Sequence, residues 1–332
     1  MSDGTAIEWC DASWNVTVGC SRVSPGCGTN EGGCYAEKMA WRLSNNPATP
    51  QYHGTVRMTA HGPRWTGVVR AVEETLLDPI HWRKHRRIFI SSMSDLFHDE
   101  VPDSHLDLVF ATVLACQYLE NLTPHTFMAL TKRADRMRDY FSASPAALLK
   151  RWAEAADGSI TVDNGDVYFS EAIETACTKS HTLGERGTPH RVPWDRPEAL
   201  FPLRNLMLGV SVEDRARLPR LDALRATPAH RRFGSFEPLL EDLGIVNLSG
   251  IHLALIGGES GPKSRVSDLV WTRSLVGQCK PQGCAPFVKQ AGANRVLGGH
   301  KLDPALAQIK SKKGNVLDEL PADLRVREWC EP

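Results

Sequence analysis

The sequence has 332 residues, 42% of them apolar and 23% charged, and a formal net charge of zero. That balance is ordinary for a globular chain and excludes a global electrostatic pull toward nucleic acid or lipid headgroups. No apolar run approaches the ~20 residues of a membrane span, and the opening MSDGTAIEWCDASW lacks the basic and apolar stretches of a secretion signal. An intracellular, reducing location is the expectation, and there nine cysteines point to metal or reactive thiols rather than to disulfides.

Short apolar runs alternate with segments of helical period. Strands are predicted at NVTVG (15–19), RIFISS (87–92), TFMALT (126–131), LMLGVSV (206–212), RRFGSF (231–236), HLALIGG (252–258) and PFVKQ (286–290). Helices are predicted at SHLDLVFATVLACQYL (104–119), ADRMRDYF (134–141), EDRARLPRLDAL (213–224) and DLVWTRSLVGQCK (268–280). Strands apolar on both faces, separated by helices, imply a parallel sheet covered by helices, and their number suggests a partial (β/α)6-type barrel. The alternation breaks after residue 141. Residues 1–141 read as the first half of the barrel, 142–203 as an insertion that begins with the helix-like AALLKRWAEAA, and 204–291 as the second half. Residues 292–332 read as a loop-rich C-terminal extension with one short helix candidate, PALAQIKS.

The strand ends are unusually polar. RIFISS runs into MSDLFHDE, TFMALT into KRADRM, LMLGVSV into EDRAR, RRFGSF into EPLLED, HLALIGG into ESGPKS and PFV into KQAG. In a parallel barrel those ends share one rim, the rim where such folds keep their chemistry. The stretch after the first strand belongs to the same rim and carries Cys20, Cys27 and Cys34 among glycines. A structural zinc ion would want four ligands, with Cys10 or a distant His as the fourth. Three thiolates also suit an iron–sulfur cluster that keeps one iron open for a non-protein ligand. Spacing alone does not choose between them, nor does it exclude a simple reactive thiol. The remaining cysteines say less: Cys116 falls on an apolar helix and reads as core, and CKPQGC (279–284) lacks the further ligands of a second metal site.

A set of short motifs is more specific. IEWCDASWNV (7–16), GCSRVSPGC (19–27), CYAE (34–37), SMSDLFH (92–98), LTKR (130–133), GVSVED (209–214), FEPLL (236–240), GGESG (257–261) and FVKQ (287–290) stand in order along the chain. Together they resemble the three-cysteine-motif family of phage and bacterial proteins, a group like the radical S-adenosylmethionine enzymes. A looser likeness to spore photoproduct lyase lies in the Ser-x-Ser-Asp after the second strand and the Leu-Thr-Lys after the third. Two departures stand out. The family usually has two residues between its second and third cysteines, where this chain has GTNEGG (28–33), and Cys10 stands where the family usually has Thr.

The resemblance implies that Cys20, Cys27 and Cys34 hold a 4Fe–4S cluster whose open iron takes the amino and carboxylate groups of S-adenosylmethionine. One electron then cleaves the sulfonium to a 5′-deoxyadenosyl radical that abstracts hydrogen from a substrate, a lyase- or transferase-type modification. On that reading Ser92, Ser94 and Asp95 accept from the cofactor's ammonium, Lys132 pairs with its carboxylate, and Ser211 and Glu213 reach the ribose. Tyr35 offers its backbone to the adenine, Glu259 lies near the adenine or the substrate, and Glu237, Lys289 and Gln290 serve the substrate. The implied partners are a one-electron donor such as flavodoxin or ferredoxin and a genetic partner protein, in the cytoplasm of a bacterium or a phage-infected host. The implied substrate is a nucleobase or modified DNA base, which in a duplex would be flipped into the barrel mouth. HWRKHRR (81–87) and AHRR (229–232) are the basic stretches that would meet phosphates. A reading of another class makes the three cysteines a zinc staple in a non-enzymatic nucleic-acid-binding protein. A third keeps the fold and loses the activity through the longer gap after Cys27.

Overall fold

The apolar runs form one sheet in a computed structural model that describes residues 5, 7–28, 33–118, 125–157, 159–162, 165–168, 201–261 and 263–330. The sheet has seven strands: β1 (Ala12–Trp14), β2 (Arg87–Ile90), β3 (Thr126–Thr131), β4 (Leu206–Ser211), β5 (Arg231–Phe236), β6 (Leu253–Gly257) and β7 (Ala285–Gln290). They lie side by side in chain order, each parallel to the next, and curl into a half-barrel, one strand more than the six-unit barrel expected.

Around the convex face run α2 (Asp103–Tyr118), α3 (Ala134–Phe141), α4 (Pro145–Ala156), α5 (Pro219–Ala226) and α6 (Leu269–Cys279), while α1 (Tyr35–Ser44) follows the cysteine loop. The period-two alternation of a strand divides its side chains between two cores. Outward, Ile88, Ile90, Phe127, Leu208 and Ile256 pack under the helices with Phe110, Phe141 and Trp152. Inward, Phe89, Met128, Met207, Phe233, Leu255 and Phe287 fill the concave face together with Trp9 and Cys10. Gly209 makes room there, because a Cβ on it would lie 2.4 Å from the Phe233 ring.

Three expectations shift. The first strand is Ala12–Trp14, not residues 15–19. Trp14 is buried against Phe127, and its indole N–H donates to the Thr75 carbonyl at 2.6 Å. Thr17 and Val18 leave the sheet to pair antiparallel with Arg70 and Ala71. The helix predicted over 213–224 starts only at Pro219, after a 3-10 turn at Arg215–Arg217, since proline fits a helix best in its first turn. PALAQIKS yields only the 3-10 turn Pro304–Leu306. The opening helix of the expected insertion, α4, packs Leu148, Leu149 and Trp152 into the outer core. Beyond it come the hairpin strands Ser159–Val162 and Gly165–Tyr168, while Cys177 lies outside the described residues.

The C-terminal extension seals the N-terminal end of the half-barrel. Its backbone runs antiparallel along β7, with the Val288 N–H donating to Val326 and the Glu328 N–H to Pro286. Trp329 then meets Phe287 edge-on at 6.4 Å and carries the Arg87 guanidinium over its ring at 4.8 Å, so it spans from β7 to the start of β2. Trp9 fills the space above, 4.7 Å from Phe89 and 6.3 Å from Phe233. Among the described residues no helix is long and apolar enough to cross a membrane.

Candidate functional site

The other end of the sheet is open. A cavity of about 260 Å³ sits over the C-terminal ends of the strands, walled by the cysteine loop and floored by Trp9 and Phe89. Cys20, Cys27 and Cys34 all line it, as do Tyr35, Ser92, Ser94, Asp95, Lys132, Ser211, Glu237, Glu259 and Lys289. Glu213 and Gln290 do not; both stand behind the wall and hold it.

The cysteine loop is fixed by buried charge. Glu37, on the first turn of α1, is almost completely buried and takes both Arg22 Nε and Arg22 Nη2, at 2.9 and 2.6 Å, as well as the Trp65 N–H. Glu213 accepts from the Ser24 hydroxyl and from the Gly26 N–H, while Arg220 pairs with its other oxygen at 2.8 Å. A Cβ on Gly26 would lie 2.4 Å from that carboxylate, so a side chain there would push Glu213 out of its present place. Burial alone would raise the Glu213 carboxyl, but Lys132, Ser24 and Arg220 outweigh it and hold it below its usual range. Arg265 grips Glu259 with two nitrogens and reaches the Pro25 carbonyl at 2.6 Å. The loop is thus tied to β4 and β6, the sixth-strand Glu259 included.

The longer gap after Cys27 does not part its cysteines. The Cys34 N–H donates to the Cys27 carbonyl at 3.2 Å, so the ends of the segment 28–33 are drawn together. Cys34 is the N-terminal cap residue of α1. Burial pushes its thiol up, and the Ala36 and Glu37 N–H groups, bonded toward the sulfur, pull the other way. Cys20 is pushed up to about 12, first by burial, then by Asp95, with Arg133 opposing; the thiols of Cys34 and Cys27 lie near enough to act on it as well. Such thiols stay protonated until a cation compensates them, and metal coordination deprotonates a thiol outright.

Asp95 departs from its expected role. One of its oxygens accepts from Phe97 N–H and Thr131 hydroxyl, the other from Lys132 N–H and Arg133 Nη1 at 3.0 Å. With four donors already on it, it serves the wall of the cavity. Ser94 donates to the Gly19 carbonyl and Ser92 to Asn15, whose oxygen also takes the Met93 N–H. The Tyr35 hydroxyl donates to the Ser92 carbonyl at 2.7 Å, tying α1 to this turn. At the substrate end Lys289 pairs with Glu237 at 2.6 Å. Burial would lower the ammonium, but Glu237 more than offsets it, so Lys289 stays charged. Gln290, buried, bridges Glu237 and the Gly258 carbonyl and so aims the pair.

The motifs held further residues that the sequence reading passed over: Arg133 in LTKR, Glu37 in CYAE, and Arg22 and Ser21 in the cysteine loop. Their signal was charge inside otherwise apolar or glycine-rich motifs; their pairing partners lie far along the chain. Cys10 is buried in the inner core, apart from the three cavity cysteines. HWRKHRR and AHRR precede β2 and β5, at the end of the sheet opposite the cavity.

The sequence model of a family described as a protein of unknown function (DUF5131) matches residues 4–323. The chain belongs to that family. No curated protein and no solved structure matches the chain significantly.

Whether the cavity fits an iron–sulfur cluster turns on its donors. Among the described residues, no three or more His, Cys, Asp or Glu side chains gather tightly enough to hold a single ion. A tetrahedral zinc ion with Zn–S bonds of about 2.3 Å demands that convergence. A four-iron cube takes one thiolate per corner, so its ligands stand apart around a shared space. Three cysteines lining one cavity, with the Ala36 and Glu37 N–H groups directed at the Cys34 sulfur and Arg133 at that of Cys20, are a donor set of the kind such a cube takes.

Proposed function

We propose that this protein is a radical S-adenosylmethionine enzyme. The observation that carries the reading is the meeting of Cys20, Cys27 and Cys34 in one cavity with the polar ends of the strands. When bound at these cysteines, a 4Fe–4S cluster would supply the electron that cleaves S-adenosylmethionine to a 5′-deoxyadenosyl radical, drawn from an external donor such as flavodoxin or ferredoxin. The chain's own residues bind, orient and exclude water. Lys132 and the hydroxyls of Ser92, Ser94 and Ser211 offer donors and acceptors to the cofactor's amino-acid and ribose groups, while Glu213 holds the cluster loop against β4.

The inner half of the cavity supports a flat heteroaromatic substrate. Trp9 and Phe89 give it apolar and stacking surface, and the Glu237–Lys289 pair places an acceptor beside a charged donor. A nucleobase answers that description, as does a modified DNA base flipped out of a duplex. The basic stretches at the far end of the sheet do not face a nucleic acid entering the mouth, so its binding there rests on the rim itself.

Anaerobically prepared protein is expected to be brown, to contain iron and sulfide, and to lose both in Cys27→Ala. Reduced with dithionite in the presence of S-adenosylmethionine, it should release 5′-deoxyadenosine and methionine. Colourless protein carrying one zinc per chain would support the zinc-staple reading instead, and a fully clustered sample that cleaves nothing would leave the fold without the activity.

A further inference from the structure

Arg133 occupies a position that the proposed chemistry does not by itself explain. Its side chain is 7% exposed, and it lies between two elements of the cavity wall. Toward β2 it pairs with Asp95 at 3.0 Å, itself buried. Toward the cysteine loop, Nη2 donates to the Ser21 hydroxyl at 2.8 Å, and Nη1 reaches Cys20 Sγ at 4.0 Å. Ser21 is held in turn by the His98 ring at 2.8 Å. Arg133 Nε has no hydrogen-bond partner among the described residues, and the Asp99 carboxylate, mostly exposed, lies 3.9 Å from it. A guanidinium is permanently charged, so this corner of the cavity carries a fixed cation against one cysteine and a fixed anion directly behind it. Arg22 also lies near enough to act on Cys27 and Cys34, but its guanidinium is paired with the buried Glu37 carboxylate, whereas Arg133 is directed at the Cys20 sulfur itself.

We propose that Asp95 and Arg133 form a charge pair that sets the reduction potential of the iron bound at Cys20, with Arg133 as the positioning residue that donates to the Cys20 sulfur. The inference rests on the proposed cluster and goes beyond it, because it assigns the three cysteines unequal electrostatic roles. Reduction adds negative charge to the cluster. A cation at the sulfur favours the reduced state and raises the potential, an anion disfavours it, and burial keeps solvent from screening either. Removing one partner exposes the cluster to the other, so the two removals act in opposite directions. A pair that only braced the loop would change how much cluster is held, not the potential of what is held.

The test compares one-electron midpoint potentials, read by electron paramagnetic resonance on anaerobic full-length protein poised at graded potentials, with iron and sulfide content measured on each sample. Arg133→Gln should shift the equilibrium about tenfold or more against reduction, which for one electron is about 59 mV downward. Asp95→Asn should shift it upward, and Arg133→Lys, which keeps the charge without the fork, should stay closer to the parent than Arg133→Gln. Should Arg133→Gln fail to hold a cluster, the upward shift of Asp95→Asn and the intermediate place of Arg133→Lys still decide. Equal potentials in all loaded samples, or shifts of the same sign in Arg133→Gln and Asp95→Asn, overturn the inference and leave the cluster reading standing. A parent that takes up no cluster removes both together.

Discussion

At the N-terminal end of the sheet the concave face is filled by Trp9, Met207 and Phe233 and sealed by Trp329, while at the C-terminal end of the same strands Ser211, Ser235 and Lys289 face an open cavity. The change happens within single strands. Along β4 the inward positions run Met207, Gly209, Ser211; along β5 they end Phe233, Ser235; along β7 they run Phe287, Lys289. These strands therefore devote their first inward side chains to cohesion and their last to the polar cavity. The helices need only one outer core, and the sealed inner core lets the rim be polar without unfolding the sheet. One end should accordingly tolerate substitution poorly in stability and the other poorly in ligand binding.

The sharpest break would come from Phe233→Ala. It removes a fully buried ring from the inner core and should cost about 3–5 kcal/mol, read as a lowered midpoint in chemical denaturation. A similar loss from Lys289→Met, on the rim, would erase the contrast between the two ends. Next comes acid. His125, just before β3 at the sealed end, is buried with Nε2 against the Pro79 carbonyl, and burial lowers it from 6.5 to about 4. The folded state binds its proton less readily than the unfolded state. Its contribution is therefore complete above pH 6.5 and is lost as pH falls toward about 4, roughly 3 kcal/mol across that window. His125→Gln should flatten this part of a stability-against-pH curve.

Glu213 sharpens the comparison from the open end. Its carboxyl is held below 4.5, so its contribution is present above that value and is lost as pH falls below it, a window that opens at lower pH than that of His125. Glu213→Gln should cost about 1–3 kcal/mol through weakened bonds to Ser24, Gly26 and Arg220. It should also speed proteolytic cleavage within residues 20–34 while the sheet remains folded; an unchanged cleavage rate would dismiss Glu213 as the tether. The smallest effect belongs to Tyr35→Phe. Losing one hydrogen bond to the Ser92 carbonyl should cost about 0.5–1.5 kcal/mol, read as a small lowering of the midpoint in chemical denaturation.

Six of the seven sheet strands were legible to within a residue or two, because a buried parallel strand writes itself as a short apolar run. β1 was not: its three residues sit in the polar stretch DASW, and only Trp14 packing on Phe127 reveals it, while the β-branched NVTV next to it looked the better strand. The cysteines and most rim residues were legible from motifs and strand ends. The division of labour among them was not. Asp95 and Glu213 read as ligand-facing acids, yet the hydrogen-bond geometry spends both on holding the wall.

The sequence by itself determined the local matters: where six of the seven sheet strands run, that they are apolar on both faces, and that three thiols fall on the polar rim. Those follow from side-chain period and from residues adjacent in the chain. Only the tertiary structure decided that Arg133 meets Asp95 and Cys20, that Glu213 tethers the cysteine loop, and that Trp329 closes the far end. These pairings join residues far apart in sequence, and charges or rings find such partners only once the sheet has curled and brought its ends into reach.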